Sequence, residues 1–281
     1  MKKNKFIILL CVFLLAFAYE FITDKIEIDI ADNSFAVHFI DVGQGDSSFV
    51  HFPNAKTMLI DAGENDKGET VVEYLDNHGI EKIDFLVGTH PHSDHIGGLD
   101  VVIDNFEIGE VYMPYVSTTT KTYEDVLKAI SAKNLKIKKA EKGKVIFEDE
   151  DTLIEIIGPV DINEENFNNC SAIVKLTYKN KVFLFTGDAE TEAEDKLENV
   201  DADVLKVGHH GSSTSSSERF IRRVSPDLAI ISVGKDNDYG HPHKEVKKLF
   251  EELDIDTLRT DECGTIIVKT DGEQISVETE K

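Results

Sequence analysis

The sequence predicts an α/β protein in which two mixed β-sheets are covered by helices. Short β-branched segments alternate with segments of helical apolar spacing, and this alternation occurs twice over about 240 residues. No internal repeat of roughly 20–50 residues is visible, which disfavours a solenoid or a propeller. With 281 residues and 41% hydrophobic content, the chain is long enough to bury one large core.

The N-terminal segment has a different composition from the rest of the chain. Lysines at positions 2, 3 and 5 precede an apolar run, residues 6–19, that is shorter than the ~20 residues of a membrane span. Ala16 and Ala18 fit the small-x-small pattern of a cleavage site. We therefore expect a signal peptide or membrane anchor at 1–20, a linker at 21–34 and a folded domain at 35–281, exported to the extracellular space or attached to the outer face of the cytoplasmic membrane.

Charge and cysteine content exclude several classes of protein. The chain has 54 acidic and 30 basic residues, a net charge of −24, which disfavours the cationic surface of a sequence-independent DNA-binding protein. Its 3 cysteines form no CxxC pair, which excludes a disulfide scaffold or a zinc ribbon. No apolar run reaches about 18 residues, which argues against a polytopic membrane protein.

The predicted elements follow from periodicity and from bounding turn residues. In the first half, strands are predicted at 37–42, 49–52, 57–60 and 83–87, and helices at 71–78, 96–106 and 123–132. The lysines between 133 and 144 are assigned to a solvated helix-and-loop face. In the second half, the predictions are a hairpin of 173–178 and 181–185, helices at 190–198, 217–224 and 243–252, strands at 204–207 and 228–231, and two or three terminal strands. The serine-rich stretch 212–217 is predicted to be a flexible loop.

The strongest chemical signal is the HxHxDH cluster that directly follows the predicted strand 83–87. Three imidazoles and a carboxylate need polar partners and are therefore not packing residues. His90 and His92 alternate onto one side, whereas Asp94 and His95 turn onto the other as the loop enters a helix. Such a turn can bind two cations, one on each side. Mixed nitrogen and oxygen ligation suits zinc best, with manganese or iron as alternatives.

With three further motifs, this cluster makes the sequence resemble the metallo-β-lactamase superfamily over residues 36–270. The motifs are LIDAG at 59–63, TGDA at 186–189 and VGHHGS at 207–212. The resemblance implies an αββα sandwich, two mixed sheets flanked by helices. It also implies that Asp61 orients metal-bound histidines from behind, that Asp188 bridges both metals, and that the last motif supplies a further ligand.

Two details point to one branch of this superfamily. The segments FIDVGQGDS at 39–47, KVGHHGS at 206–212 and YGHPH at 239–243 are together similar to the hydrolase domain of ComEC-type competence proteins. The relatives of that branch include secreted phosphodiesterases, among them choline-phosphate esterases. Hydrolytic β-lactamases and glyoxalases place a histidine ligand between the first cluster and the bridging aspartate, but this chain has none from 96 to 208. Instead the region contains Asn166, Asn168, Asn169 and Ser171, so water, an asparagine carbonyl or the substrate would complete the first metal site.

His209 and His210 compete for the last ligand position. Adjacent residues at a strand end point in different directions, so we expect only one of them to bind metal. The interpretation assigns His210 as the ligand and His209 as a catalytic residue that transfers a proton, beside Asp94, which holds the metal geometry. Ser212 and His241 are weaker candidates for contact with the metal-bound groups or the substrate.

These observations predict an exported hydrolase with two divalent metal ions, most suitably Zn²⁺, with Mn²⁺ possible. The expected reaction is hydrolysis of a phosphodiester, DNA or another, by a metal-activated water, and no nucleotide cofactor is expected. One alternative is a hydrolase of a β-lactam, a lactone or a thioester, which the missing histidine disfavours. The other is a non-catalytic metal-binding partner protein in DNA handling. The sequence lacks GxSxG, which disfavours covalent serine catalysis.

Overall fold

The computed structural model describes residues 35–162 and 164–281. The signal peptide or anchor predicted at 1–20 and the linker predicted at 21–34 lie outside the described residues. Among the helices that are described, none combines the length and the apolar composition that a membrane crossing requires.

The first sheet joins the beginning and the end of the described chain. Its strands are β1 (Phe35–Phe39), β2 (Ser48–His51), β3 (Thr57–Ile60), β4 (Lys82–Val87), β5 (Glu107–Met113), β6 (Ile137–Lys139), β14 (Ile266–Thr270) and β15 (Ile275–Thr279). Their spatial order is β15-β14-β1-β2-β3-β4-β5-β6. Strands β3 to β6 pair in parallel, whereas the remaining pairs are antiparallel. The carboxyl ends of β3 and β4 therefore lie at one edge.

The second sheet has the same mixed character. Its strands are β7 (Lys144–Glu148), β8 (Thr152–Gly158), β9 (Ile173–Tyr178), β10 (Lys181–Phe185), β11 (Val204–Lys206), β12 (Leu228–Ile231) and β13 (Asp256–Arg259). Their order is β13-β12-β11-β10-β9-β8-β7. Strands β10 to β13 pair in parallel, and β7 to β10 pair in antiparallel fashion. The predicted hairpin corresponds to β9 and β10.

The side chains of the strands alternate between two apolar layers. Phe183 and Phe185 of β10 point into the central core between the sheets, where Phe39 stacks on Phe185 at a centroid distance of 6.0 Å. Leu184 points the other way and joins a second cluster with Phe220 and Phe250 from the covering helices. This alternation with period 2 buries both faces of the strand. The predicted αββα sandwich is confirmed.

The helices are α1 (Gly68–Asn77), α2 (Ser93–Ile96), α3 (Leu99–Asn105), α4 (Lys121–Ala132), α5 (Thr191–Glu194), α6 (Glu218–Val224), α7 (Lys244–Glu252) and α8 (Thr260–Cys263). The prediction of one continuous helix at 96–106 is wrong, because Gly97 and Gly98 separate α2 from α3. A Cβ at Gly97 would lie 2.3 Å from the Asn65 nitrogen, and one at Gly98 would lie 2.4 Å from the Ala62 carbonyl oxygen. The two glycines therefore let this turn pack directly against the backbone after β3.

Two other predicted segments also differ from the structure. The helix expected at 190–198 ends at Glu194, because its last turn tightens and Arg223 donates hydrogen bonds to the carbonyls of Glu194 and Leu197. The lysine-rich stretch 133–144 is not a helix-and-loop face. It contains edge strand β6 and reaches the first residue of edge strand β7, Lys144, and lysines are common on such edges because they discourage pairing with other chains.

A buried histidine lies beneath α1, far from the predicted metal ligands in sequence. His38 points away from the central core and is 2% exposed, with its Nδ1 atom 2.7 Å from the Tyr74 hydroxyl. Burial, reinforced by the neighbouring histidines His78 and His51 and by Lys269, lowers the pKa of His38 to about 3. The folded protein therefore contains His38 in its neutral form.

We expect this histidine to make folding sensitive to acid. The folded pKa of His38 lies below the unfolded value near 6.5, so the stability is fully present above pH 6.5 and is lost as the pH falls toward 3. At about 1.4 kcal/mol per pH unit, the loss between pH 6.5 and 4 is about 3 kcal/mol. Urea unfolding of the wild type and of His38→Leu over this range measures it. Equal pH slopes in the two proteins would refute the assignment.

Candidate metal centre

The predicted ligands follow strands whose carboxyl ends meet at one edge of the sandwich. Asp61 directly follows β3, the HxHxDH cluster follows β4, Asp188 follows β10, and the His209–His210 pair follows β11. Strands β3 and β4 are parallel neighbours in one sheet, and β10 and β11 are parallel neighbours in the other. Residues distant in sequence converge for this reason, as ligand sites do at the carboxyl ends of parallel strands.

Two groups of the converging side chains share one carboxylate. Within each group the ligand atoms lie within 4.8 Å of one another; the first contains His90, His92 and Asp188, and the second contains Asp94, His95, Asp188 and His210. Asp188 Oδ1 lies 3.0 Å from His95 Nε2, whereas Asp188 Oδ2 lies 3.8 Å from His90 Nε2. The two oxygens of Asp188 thus face different groups, which is the arrangement that a bridging carboxylate requires.

The buried histidines direct the same ring atom into the centre. His95 Nδ1 lies 2.8 Å from Asp61 Oδ2, and His210 Nδ1 lies 3.0 Å from the Ser232 carbonyl oxygen. Among the described residues, His95 Nε2, His210 Nε2 and Asp188 Oδ1 are buried and make no hydrogen bond of suitable geometry, although His95 Nε2 and Asp188 Oδ1 lie 3.0 Å apart. Buried polar atoms normally have partners, and this set of nitrogen and oxygen atoms fits divalent cations such as Zn²⁺.

The electrostatics of the centre also favour added positive charge. Burial alone would lower the pKa of His95, but the carboxylates of Asp188, Asp94 and Asp61 raise it well above its usual value. In the same way, Asp188 and Asp46 outweigh burial and raise the pKa of His210 to about 10. The carboxylates therefore create a strong negative potential at the positions that cations would occupy.

Asp61 holds this arrangement from behind the histidines. The residue is fully buried and has a positive φ of 60°. Its Oδ1 atom accepts a hydrogen bond from the Thr89 backbone nitrogen at 2.8 Å, and Oδ2 accepts one from the Thr89 hydroxyl at 2.6 Å. Asp61 thus fixes both the start of the HxHxDH turn and the ring of His95.

The adjacent histidines after β11 point in different directions. His209 and His210 both have left-handed backbone conformations, with φ values of 51° and 53°. The His210 ring is buried, and its Nε2 atom lies 3.2 Å from Asp94 Oδ2. The His209 side chain is 22% exposed, with Nε2 3.6 Å from Asp188 Oδ2. The structure thus brings His210 into the second group and leaves His209 outside both groups. Proton transfer by His209 stays a prediction.

The serine-rich stretch 212–217 is not a flexible loop. The carboxylate of Glu194 accepts hydrogen bonds from the backbone nitrogens of Ser216 and Ser217, at 2.5 and 3.1 Å. Ser212 is buried, and its hydroxyl lies 3.1 Å from that of Thr214, which in turn lies 3.1 Å from His209 Nδ1. Ser212 therefore shapes the turn beside His209 and, among the described residues, belongs to neither group of ligand atoms.

A cleft of about 480 Å³ opens over the two groups. His92, His209 and His241 line it together with Asp94 and Asp188. The ring of His241 lies 5.6 Å from that of His209, and burial, followed by the nearby His210 and His209, lowers its pKa to about 4. This cleft gives a substrate access to both groups.

The region that lacks a histidine contributes other polar groups. Ser171 Oγ lies 3.3 Å from His90 Nδ1 and accepts a hydrogen bond from the Asp188 backbone nitrogen at 3.1 Å. Asn168 lines the cleft, and its Oδ1 atom is buried without a hydrogen-bond partner among the described residues. Asn166 instead donates to Glu190 at 2.7 Å, and Asn169 accepts from the Glu190 backbone nitrogen at 3.0 Å. Of the four, Asn168 is the residue placed to offer an oxygen ligand.

Sequence reasoning missed a buried ion pair behind His210. Lys206 is 2% exposed, and its Nζ atom lies 2.5 Å from Asp46 Oδ2, while Asp46 Oδ1 lies 3.1 Å from His210 Nδ1. Although burial would raise it, the pKa of Asp46 is lowered by the charges of Lys206 and His210. A lysine at the end of the short apolar strand β11 was the available signal, because lysines are seldom fully buried unless paired.

We expect Lys206→Met to destabilise the protein strongly. The substitution leaves the Asp46 carboxylate buried without its ammonium partner, and breaking such a pair costs about 3–5 kcal/mol of the free energy of unfolding. Urea unfolding measures the loss. Lys206→Met combined with Asp46→Asn removes the uncompensated charge and should recover part of the stability; no difference between the single and double variants would contradict this account.

Comparison with known proteins places the chain in a family. A model of the metallo-beta-lactamase superfamily matches residues 40–235, and the chain belongs to this superfamily. Over 276 residues it is 33% identical to ComE operon protein 3 of Bacillus subtilis (strain 168). This match covers 91% of this chain and 34% of that protein. Over 243 residues it is 31% identical to Competence protein ComA of Neisseria gonorrhoeae, covering 84% of this chain and 32% of that protein. The chain thus spans about a third of the length of these curated relatives.

Solved structures agree on the fold. The metallo-beta-lactamase fold protein YhfI from Bacillus subtilis matches with a TM-score of 0.53 at 11% identity. The match covers 84% of this chain and 100% of YhfI. Fold, family and site together define the class: a metal-dependent hydrolase of the metallo-beta-lactamase fold with a buried site of histidine and aspartate. The similarity to competence proteins predicted from the sequence is confirmed.

Proposed function

We propose that the protein is a phosphodiesterase that uses two divalent metal ions. The observation that carries the proposal is the position of Asp188, whose two oxygens face two separate groups of ligand atoms at the floor of one open cleft. Two divalent cations at such positions supply a water nucleophile at neutral pH and neutralise the oxygens of a phosphoryl group.

Each residue of the centre then has a distinct task. His90, His92 and Asp188 would hold one cation, and Asp94, His95, Asp188 and His210 would hold the other. Asp61 and the Ser232 carbonyl fix the His95 and His210 rings so that each Nε2 faces Asp188 Oδ1, at 3.0 and 3.6 Å. His209 borders the cleft and is free to protonate the leaving oxygen of a bound phosphodiester. Burial lowers the pKa of His209, so the ring is mostly neutral at pH 7, and its protonated form gives up the proton more readily than a free imidazolium does.

DNA is the substrate that the relatives favour, since one of them is named a competence protein. The net charge of −24 opposes broad contact with a duplex, so we propose a short or single-stranded segment that reaches the cleft. Ser171 and Asn168 occupy the region that lacks a histidine, which does not favour a β-lactamase or thioesterase. A cleft open to both groups favours turnover over a purely binding role.

A substrate panel tests this function. The full chain, loaded with Zn²⁺ or Mn²⁺, is assayed on bis-p-nitrophenyl phosphate, single-stranded DNA, a phosphorylcholine ester and a chromogenic β-lactam. We expect hydrolysis of the phosphodiesters, with loss of activity in a chelator and recovery on metal addition. Hydrolysis of the β-lactam without hydrolysis of any phosphodiester would replace the proposal with the alternative hydrolase.

We further propose that the protein acts outside the cell, either released or attached to the cytoplasmic membrane through its N-terminus. The basic and apolar composition of residues 1–20 supports this location. We expect the mature chain to begin near Tyr19, or to fractionate with membranes through residues 6–22. Mass spectrometry of the native N-terminus decides between the two, and an intact Met1 on a cytoplasmic protein would exclude both.

A further inference from the structure

An exposed aromatic ring stands at the wall of the cleft. Tyr239 is 65% exposed although it belongs to the residues that line the cleft beside Asp188, His209 and His210. Exposed aromatic side chains of this size at a binding cleft commonly provide contact area for a ligand. None of the roles assigned above uses Tyr239.

The ring extends a row of aromatic groups that begins at the metal centre. The His241 ring lies 6.3 Å from that of His210, and the Tyr239 ring lies 5.6 Å from that of His241 with an angle of 21° between their planes. Tyr239 is therefore two ring contacts from a predicted ligand. A group bound on it would lie next to the phosphodiester bound at the centre.

The loop that presents this ring is ordered by one asparagine. Asn237 Oδ1 accepts hydrogen bonds from the backbone nitrogens of Tyr239 at 3.2 Å and His241 at 3.0 Å. Asn237 Nδ2 donates to the carbonyl of His241 at 2.7 Å. The near-parallel pair of rings is thus preorganised, so little conformational entropy is lost when a flat ligand binds.

We propose that Tyr239, supported by His241, is a stacking platform for a nucleobase adjacent to the scissile phosphodiester; this inference rests on the proposed function. A base presents a flat π-face, and stacking on an aromatic side chain tolerates any base sequence. Trimethylammonium groups are instead commonly recognised by a cage of several aromatic rings. Among the described residues that line the cleft, Tyr239 is the single phenyl or phenol ring, and it stays 65% exposed despite its contact with His241.

The test compares two single-stranded oligonucleotides of equal length, one with bases and one abasic. Loss of one base stacked on an aromatic side chain corresponds to about 5- to 150-fold in affinity. In Tyr239→Ala the ratio of kcat/KM for the base-bearing over the abasic strand should fall by this factor, through KM. Tyr239→Phe should retain the ratio. Tyr115→Ala is the matched control, because Tyr115 is 58% exposed and does not line the cleft.

The outcomes distinguish a failure of the stacking platform from a failure of the proposed phosphodiesterase function. If the wild type cleaves the strands and Tyr239→Ala keeps the ratio, the platform is wrong and the phosphodiesterase stands. A larger loss on a phosphorylcholine ester than on the base-bearing strand would assign the ring to a trimethylammonium group and also overturn the proposal. If the wild type cleaves neither strand, the proposed function fails. In that case, fluorescence anisotropy in a chelator compares the binding of both strands by the wild type and by Tyr239→Ala. The platform is supported only if Tyr239→Ala binds the base-bearing strand more weakly and the abasic strand equally well.

Discussion

Replacement of Asp188 by alanine is expected to reduce the bound metal from near two ions per chain and to abolish most of the activity. The Asp188 carboxylate contributes to both groups of ligand atoms, so its removal weakens both positions at once. Loss of a residue that only orients a ligand typically costs about 10- to 100-fold in metal affinity or activity. A shared ligand should therefore cost more than about 100-fold. Elemental analysis after dialysis, with phosphodiesterase rates on the same samples, measures both effects.

Asp203→Ala provides a matched control for this substitution. Asp203 directly precedes β11 in the second sheet. Its carboxylate binds Lys181 Nζ at 2.8 Å and the Val182 nitrogen at 2.7 Å, and it belongs to neither group of ligand atoms. This variant should keep the metal stoichiometry of the wild type. An Asp188→Ala protein with unchanged stoichiometry would remove the bridging role.

The two histidines after β11 should separate metal binding from proton transfer. His210→Ala is expected to lose metal and folding stability together, because ligand bonds contribute to the folding free energy. His209→Ala should retain two metals and hydrolyse phosphodiesters about 10²–10⁴-fold more slowly, the usual effect of removing a general acid. The different burial of the two rings and the distance of 3.2 Å from His210 Nε2 to Asp94 Oδ2 support this division.

The leaving group supplies an internal control for the His209 variant. A p-nitrophenolate leaving group needs no proton, so the rate loss in His209→Ala should shrink on bis-p-nitrophenyl phosphate relative to DNA. If His209→Ala loses the metal and His210→Ala keeps it, the two roles are reversed. If both variants keep two metals and full activity, neither role is correct.

The sequence predicts the sandwich and most of the centre because both depend on local patterns. Short apolar runs such as β10 are visible in the sequence, and the candidate ligands follow such runs. The HxHxDH cluster is informative by itself, since three imidazoles in a short turn have no packing role. Asp188 is different: without the order of motifs, it would pass for an ordinary residue of a turn after a strand.

The features that the sequence does not reveal depend on contacts between distant segments. Lys206 and Asp46 are separated by most of the chain, and only the packing of the two sheets brings Lys206 Nζ to 2.5 Å from Asp46. The break at Gly97–Gly98 follows from the close approach of the backbone after β3. The order of the serine-rich loop depends on Glu194, whose carboxylate is buried against it. Periodicity carries no information about such pairings.

Metal titration of the apo protein tests the two-metal account most directly. Chelator-treated protein receives Zn²⁺ or Mn²⁺ in steps from zero to three equivalents, and bound metal and hydrolysis of bis-p-nitrophenyl phosphate are measured at each step. The account predicts that two equivalents bind and that phosphodiesterase activity reaches its plateau only when the second position fills. Saturation of binding and activity at one equivalent, or a fully loaded protein with no phosphodiesterase activity, would contradict it.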